Sequence, residues 1–119
     1  MKRLSLFLLV LTFFFFGCNI NGKKETLRFG VCADVHKDVM HDADQRLQIF
    51  IDQMNVNKVD FVIQLGDFCR PYDFNQSFID VWNSFDGPVY NVLGNHDMDG
   101  GFTSEQTIEY WGIPASPVQ

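Results

Sequence analysis

The chain has 119 residues, 46% hydrophobic and 20% charged, with a formal net charge of −6. That length suffices for one small domain. The acidic balance excludes a broad basic surface for nucleic acid phosphates, though not a phosphate ester held by metal ions, whose charge dominates a local field.

The first segment is a targeting signal rather than part of a fold. Met1, Lys2 and Arg3 form a short basic region, residues 4–16 are apolar except for Ser5 and Thr12, and polar residues begin directly after Gly17 and Cys18. The apolar run of 13 residues falls short of the ~20 that a membrane-spanning helix needs, so residues 1–17 read as a secretory signal peptide. A small residue followed by cysteine at the end of such a run resembles the lipobox of bacterial lipoproteins. It implies lipidation of Cys18, a tether over residues 18–26 and a membrane-anchored protein, secreted across the inner membrane to the periplasm or cell surface. Phe15 and Phe16 replace the residues usual at that box, and ordinary cleavage with Cys18 incidental is the competing reading. The chain from Cys18 keeps seven basic against fifteen acidic side chains. No Cys-x-x-Cys pair is present, so neither a zinc ribbon nor a redox motif is supported. Cys32 and Cys69 fit either a disulfide or buried free thiols.

Three similar units follow. Residues 27–33 are short and mostly apolar, as a buried strand is. A polar loop with Asp34, His36, Lys37 and Asp38 comes next, and then Leu47, Phe50, Ile51 and Met54 recur at helical spacing, with Asp42 or Asp44 as the expected cap. Residues 59–65 read as the second strand, and the loop from Gly66 to Pro71 precedes a helix marked by Phe78, Val81, Trp82 and Phe85. Gly87 and Pro88 end that helix. Residues 89–93 form the third expected strand, Gly94 to Asp97 the third loop, and Thr103 or Ser104 caps a last helix containing Ile108 and Tyr110. Phe50, Phe61, Phe78 and Phe85 read as core. Strands alternating with helices imply an α/β fold of βαβ units with parallel strands. Ligands gather at the carboxyl ends of such strands.

Each expected strand ends in a loop of Asp, His or Asn: Asp34-x-His36, then Gly66-Asp67, then Gly94-Asn95-His96-Asp97. Carboxylate, imidazole and amide oxygens suit zinc, manganese or iron. In an extended segment residues i and i+2 point the same way, so Asp34 and His36 would reach one ion together with Val35 turned away. Taken singly, each residue has an ordinary rival role: a turn at Asp34, Asp67 or Asn95, a surface histidine at His36.

The three motifs in this order resemble the calcineurin-like metallophosphoesterases, and the resemblance covers residue 27 to about 111. It implies the N-terminal half of a metallophosphoesterase-type α/β/β/α sandwich over residues 27–119. It also implies hydrolysis of phosphate mono- or diesters with two divalent metal ions (Mn, Zn or Fe). By that resemblance Asp34 and His36 hold the first ion, Asp67 bridges both, and Asn95 binds the second. His96 acts catalytically on the phosphoryl or leaving oxygen, and Asp97 orients His96 through a hydrogen bond. Arg70, three residues after Asp67, is a candidate contact for substrate phosphate.

The family completes its metal sites with later histidines, whereas no histidine follows His96 here. The resemblance therefore implies a fragment truncated at its C-terminus, cut in a loop over residues 112–119. The alternative is a non-catalytic, lipid-anchored metal- or phosphate-binding protein. Substrate, metal identity and oligomeric state stay open.

Overall fold

The computed structural model describes residues 26–113. The signal segment, Cys18 and nearly all of the tether lie outside the described residues. The fold is α/β. In chain order it runs β1 (Phe29–Cys32), α1 (Ala43–Asn57), β2 (Phe61–Gln64), α2 (Gln76–Asn83), β3 (Val89–Asn91) and α3 (Ser104–Tyr110), with 3-10 turns at Asp73–Asn75 and His96–Met98. All six expected elements form, and the strands are shorter than the apolar runs that announced them.

The strands make one parallel sheet in the order β1-β2-β3. Gly30 lies beside Val62, and Val62 beside Val89. Period-two alternation sorts the side chains. Val62 and Gln64 are fully buried on the helix side, whereas Phe29, Val31 and Tyr90 are exposed on the other. On that outer face Phe29 stacks on Phe61 at 4.9 Å and Phe61 meets Tyr90 edge-on at 5.5 Å. No element covers this face among the described residues. Phe61 is thus half-buried rather than core.

Helix α1 places Ala43, Leu47 and Ile51 one turn apart, and all three are buried. It lies close on β1, because Gly30 carries no side chain: a Cβ there would sit 2.9 Å from the Phe50 ring. Asp42 stands at its start without a side-chain cap bond. Its carboxylate pairs instead with Arg46 at 3.2 Å. Helix α3 has the expected cap, with Thr103 and Gln106 in a reciprocal capping box.

The core is aromatic. Phe68 packs at 4.9 Å from Phe78, 5.3 Å from Trp82 and 6.0 Å from Trp111, counted between ring centroids. Burying each such ring stabilises the fold by roughly 2–3 kcal/mol. Phe68 directly follows Asp67, so the core anchors the loop that carries a candidate metal ligand. Cys32 and Cys69 are both free thiols. Burial pushes the Cys32 thiol up to about 11, and burial raises Cys69 further still.

Candidate metal centre

The site forms where the loops after the three strands meet, at the carboxyl end of the sheet. The first two loops are zipped by backbone bonds. The Asp34 N–H donates to the Gly66 carbonyl at 3.2 Å, the His36 N–H to Asp67 at 2.9 Å, and the Lys37 N–H to Phe68 at 3.0 Å. Gln64 ties in the third strand from below. Fully buried, its amide donates to the Val92 carbonyl at 3.0 Å and its oxygen accepts the Gly66 N–H at 2.6 Å.

This zipper brings Asp34, His36 and Asp67 together. One ligand atom from each lies within 4.8 Å of the others. His36 Nε2 stands 3.9 Å from Asp34 Oδ1 and 3.9 Å from Asp67 Oδ2, too far for hydrogen bonds. An ion bound at about 2.0–2.2 Å keeps its ligands roughly 3–4 Å apart, so the donors fit a divalent cation in both type and spacing. The backbone points the same way. Non-glycine residues with left-handed φ are Asp34 (51°), His36 (48°), Asp67 (54°) and the helix-capping Lys58 (49°) among the described residues. Left-handed backbone costs a non-glycine residue about 1–2 kcal/mol, and such strain gathers at functional sites.

Asp34 and His36 do face one point with Val35 turned into the core at 8% exposure. The geometry behind this differs from the extended segment expected. β1 ends at Cys32, and two left-handed residues, not a pleat, aim the side chains.

The third loop packs on the second. Gly94 lies so close to Asp67 that a Cβ would strike its Oδ1 and its backbone nitrogen. The Asp67 Oδ1 accepts the His96 N–H at 2.9 Å. Asn95, between Gly94 and His96, is exposed. The His96 ring lies 5.5 Å from that of His36. A cavity of about 10 Å³, room for one water, is lined by His36, Asp67, Arg70, His96 and Asp97 among others.

The expected hydrogen bond from Asp97 to His96 is not made. Asp97 is buried at 1% exposure and accepts three backbone N–H groups: Phe68 at 2.6 Å, Gly94 at 2.8 Å and Asp67 at 2.9 Å. Burial pushes its carboxyl above the usual range, against the pull of these amides. The carboxylate that meets His96 is Asp99, 2.8 Å from Nδ1. That bond holds the imidazole above its ordinary value and holds Asp99 below its own. Arg70 reaches the same Asp99 oxygen at 3.3 Å. Asp99 reaches His96 because His96–Met98 folds as a 3-10 turn, on which residues i and i+3 eclipse, and the sequence reading has no signal for that turn. Asp38 serves structure, accepting the Arg70 N–H at 2.8 Å and the Asn75 side-chain amide at 2.7 Å.

The profile of the calcineurin-like phosphoesterases matches residues 27–117. Among solved structures, a dimetal phosphatase from Danio rerio is similar at 20% identity and a TM-score of 0.49, over 60% of this chain and 30% of that one. This chain therefore spans about a third of that protein's length. No curated protein sequence matches.

Proposed function

The chain belongs to the calcineurin-like phosphoesterase family, and on that premise we propose that it contributes Asp34, His36, Asp67 and Asn95 to a site for two divalent metal ions that hydrolyses phosphate mono- or diesters. The observation that carries this reading is the convergence of Asp34, His36 and Asp67 within 4.8 Å, each in left-handed backbone.

In this reading Asp34, His36 and Asp67 would hold one ion, and Asp67 would share its carboxylate with a second that Asn95 reaches through its amide oxygen. Bound there, the ions would neutralise phosphoryl charge and supply an activated water. His96 would steady a phosphoryl oxygen or protonate the leaving oxygen through Nε2, its nitrogen not engaged by Asp99. Arg70 would add a cation at the rim. Asp97 acts at one remove, fixing the loops that carry Asp67 and His96.

We also propose that the protein works outside the cytoplasm, anchored through a lipidated Cys18. The basic, apolar and small-residue order of residues 1–18 supports this. Metabolic labelling with a radioactive fatty acid tests it: label on the wild type and none on Cys18→Ser is expected.

The central test loads the full chain with manganese, measures bound metal and follows hydrolysis of bis(p-nitrophenyl) phosphate. Uptake lost in Asp67→Ala, and turnover lost in His96→Ala with metal retained, are expected. A chain that takes up no metal refutes the reading. Uptake without turnover makes it a binding protein instead.

A further inference from the structure

We propose that Asp99 is the positioning residue of this site: one carboxylate oxygen holds both the His96 imidazole and the Arg70 guanidinium, so that the imidazole Nε2 and the free guanidinium N–H groups face the same phosphoryl group. The inference rests on the phosphoesterase reading above and names a residue outside the three motifs that define it.

Neighbouring carboxylates are already committed. Asp97 spends both oxygens on the amides of Asp67, Phe68 and Gly94. Asp67 takes the His96 backbone N–H. Asp38 is occupied by the Arg70 N–H and by Asn75. Asp99 Oδ2 meets His96 Nδ1 at 2.8 Å and Arg70 Nη2 at 3.3 Å.

The loop is built to put it there. The Asp99 N–H closes the turn onto the His96 carbonyl at 3.2 Å. Gly100, at φ 91°, then packs against the segment that carries Arg70: a Cβ on it would stand 2.7 Å from the Tyr72 hydroxyl. Tyr72 is itself held by the Tyr110 hydroxyl, which donates to its carbonyl at 2.6 Å. Asp99 is thus fixed from both sides.

The chemistry follows from the donor inventory. An ionised carboxylate only accepts hydrogen bonds. With Oδ2 at Nδ1, the neutral His96 ring carries its proton on Nδ1, and Nε2 is the nitrogen left to act on substrate. The pair is half-exposed, with side-chain exposures of 50% and 44%, so it adds little to folding. Its effect is on which nitrogen works and where it points, the role that a carboxylate behind a catalytic imidazole fulfils.

The test is a long-range proton–nitrogen NMR correlation of the three histidines in the metal-free full chain, at a pH where the rings are neutral, with His96 assigned from His96→Gln. The Nδ1–H form is expected in the wild type. In Asp99→Ala the ring should revert to the Nε2–H form that a free histidine prefers, with the amide signals of Asp67, Phe68 and Gly94 unmoved as the control for folding. Asp99→Asn keeps an acceptor and should keep the Nδ1–H form. With manganese added, Asp99→Ala should lose roughly 10- to 100-fold in kcat at unchanged metal content, and Asp99→Asn should recover part of it. A wild-type His96 in the Nε2–H form, which needs no variant to observe, overturns the proposal; so does one tautomer shared by wild type and Asp99→Ala. Absence of manganese uptake in the wild type counts against the phosphoesterase reading alone, and the tautomer comparison still decides the role of Asp99.

Discussion

Asp67 and Asp97 interlock: the Asp97 carboxylate accepts the Asp67 N–H at 2.9 Å, while the Asp67 carboxylate accepts the N–H of His96, the residue before Asp97, at 2.9 Å. Two loops from different strands each hold the other's backbone. Asp97→Asn removes the charge and turns an NH₂ group towards buried amides. A loss of about 1.5–3 kcal/mol is expected, read from urea denaturation midpoints. A shift under about 0.5 kcal/mol would mean that the three amides find other partners.

Gly94→Ala tests the same junction sterically. The new methyl would collide with Asp67 at its carboxylate and its backbone nitrogen. Since a clash with backbone cannot be relieved by a rotamer change, the loops must part. We expect manganese affinity to fall by more than ~10-fold together with a lower Tm, on the scale of overpacking defects. Unchanged affinity by equilibrium dialysis would show that Asp67 is not held by this contact.

Most of the architecture was legible because periodicity reports it. Leu47 and Ile51 announce α1, Phe78 and Trp82 announce α2, and both pairs are buried. The motifs Asp34-x-His36 and Gly66-Asp67 lie where the chain meets the sheet's carboxyl end. What stayed hidden depends on dihedrals and on choices between like residues. Pattern reading gives Asp34 and His36 a common side but not the left-handed turns that create it. The resemblance assigns Asp97 to orient His96, and the fold places another aspartate there: Asp97 turns into the core to take amides, and Asp99 remains at the rim.

The backbone strain makes a counterintuitive prediction. Asp34→Gly removes a candidate ligand and also relieves a left-handed φ of 51°. The relief, about 1–2 kcal/mol, exceeds the added entropy of an unfolded glycine. The metal-free variant should therefore be more stable than the wild type by about 0.5–1 kcal/mol, while it binds manganese more weakly. Lower stability in the metal-free denaturation curve would contradict this.

The thiols give a chemical check of the core. With its pKa near 11, Cys32 holds at pH 8 about a thousandth of its thiol as thiolate. Burial raises Cys69 further. Iodoacetamide at pH 8 should leave both unmodified in the native chain and label both in urea, as peptide mass mapping would show. Rapid native labelling of Cys69 would mean that the aromatic core opens.

The left-handed aspartates and histidine also show where fold and site pull in different directions. At position 34 a glycine would suit the bare backbone better, whereas at position 67 it would forfeit the bond to the His96 N–H. Side chains stand at positions 34, 36 and 67 alike. The strain is a running tax on every folded copy, and in the reading proposed above metal binding is what offsets it.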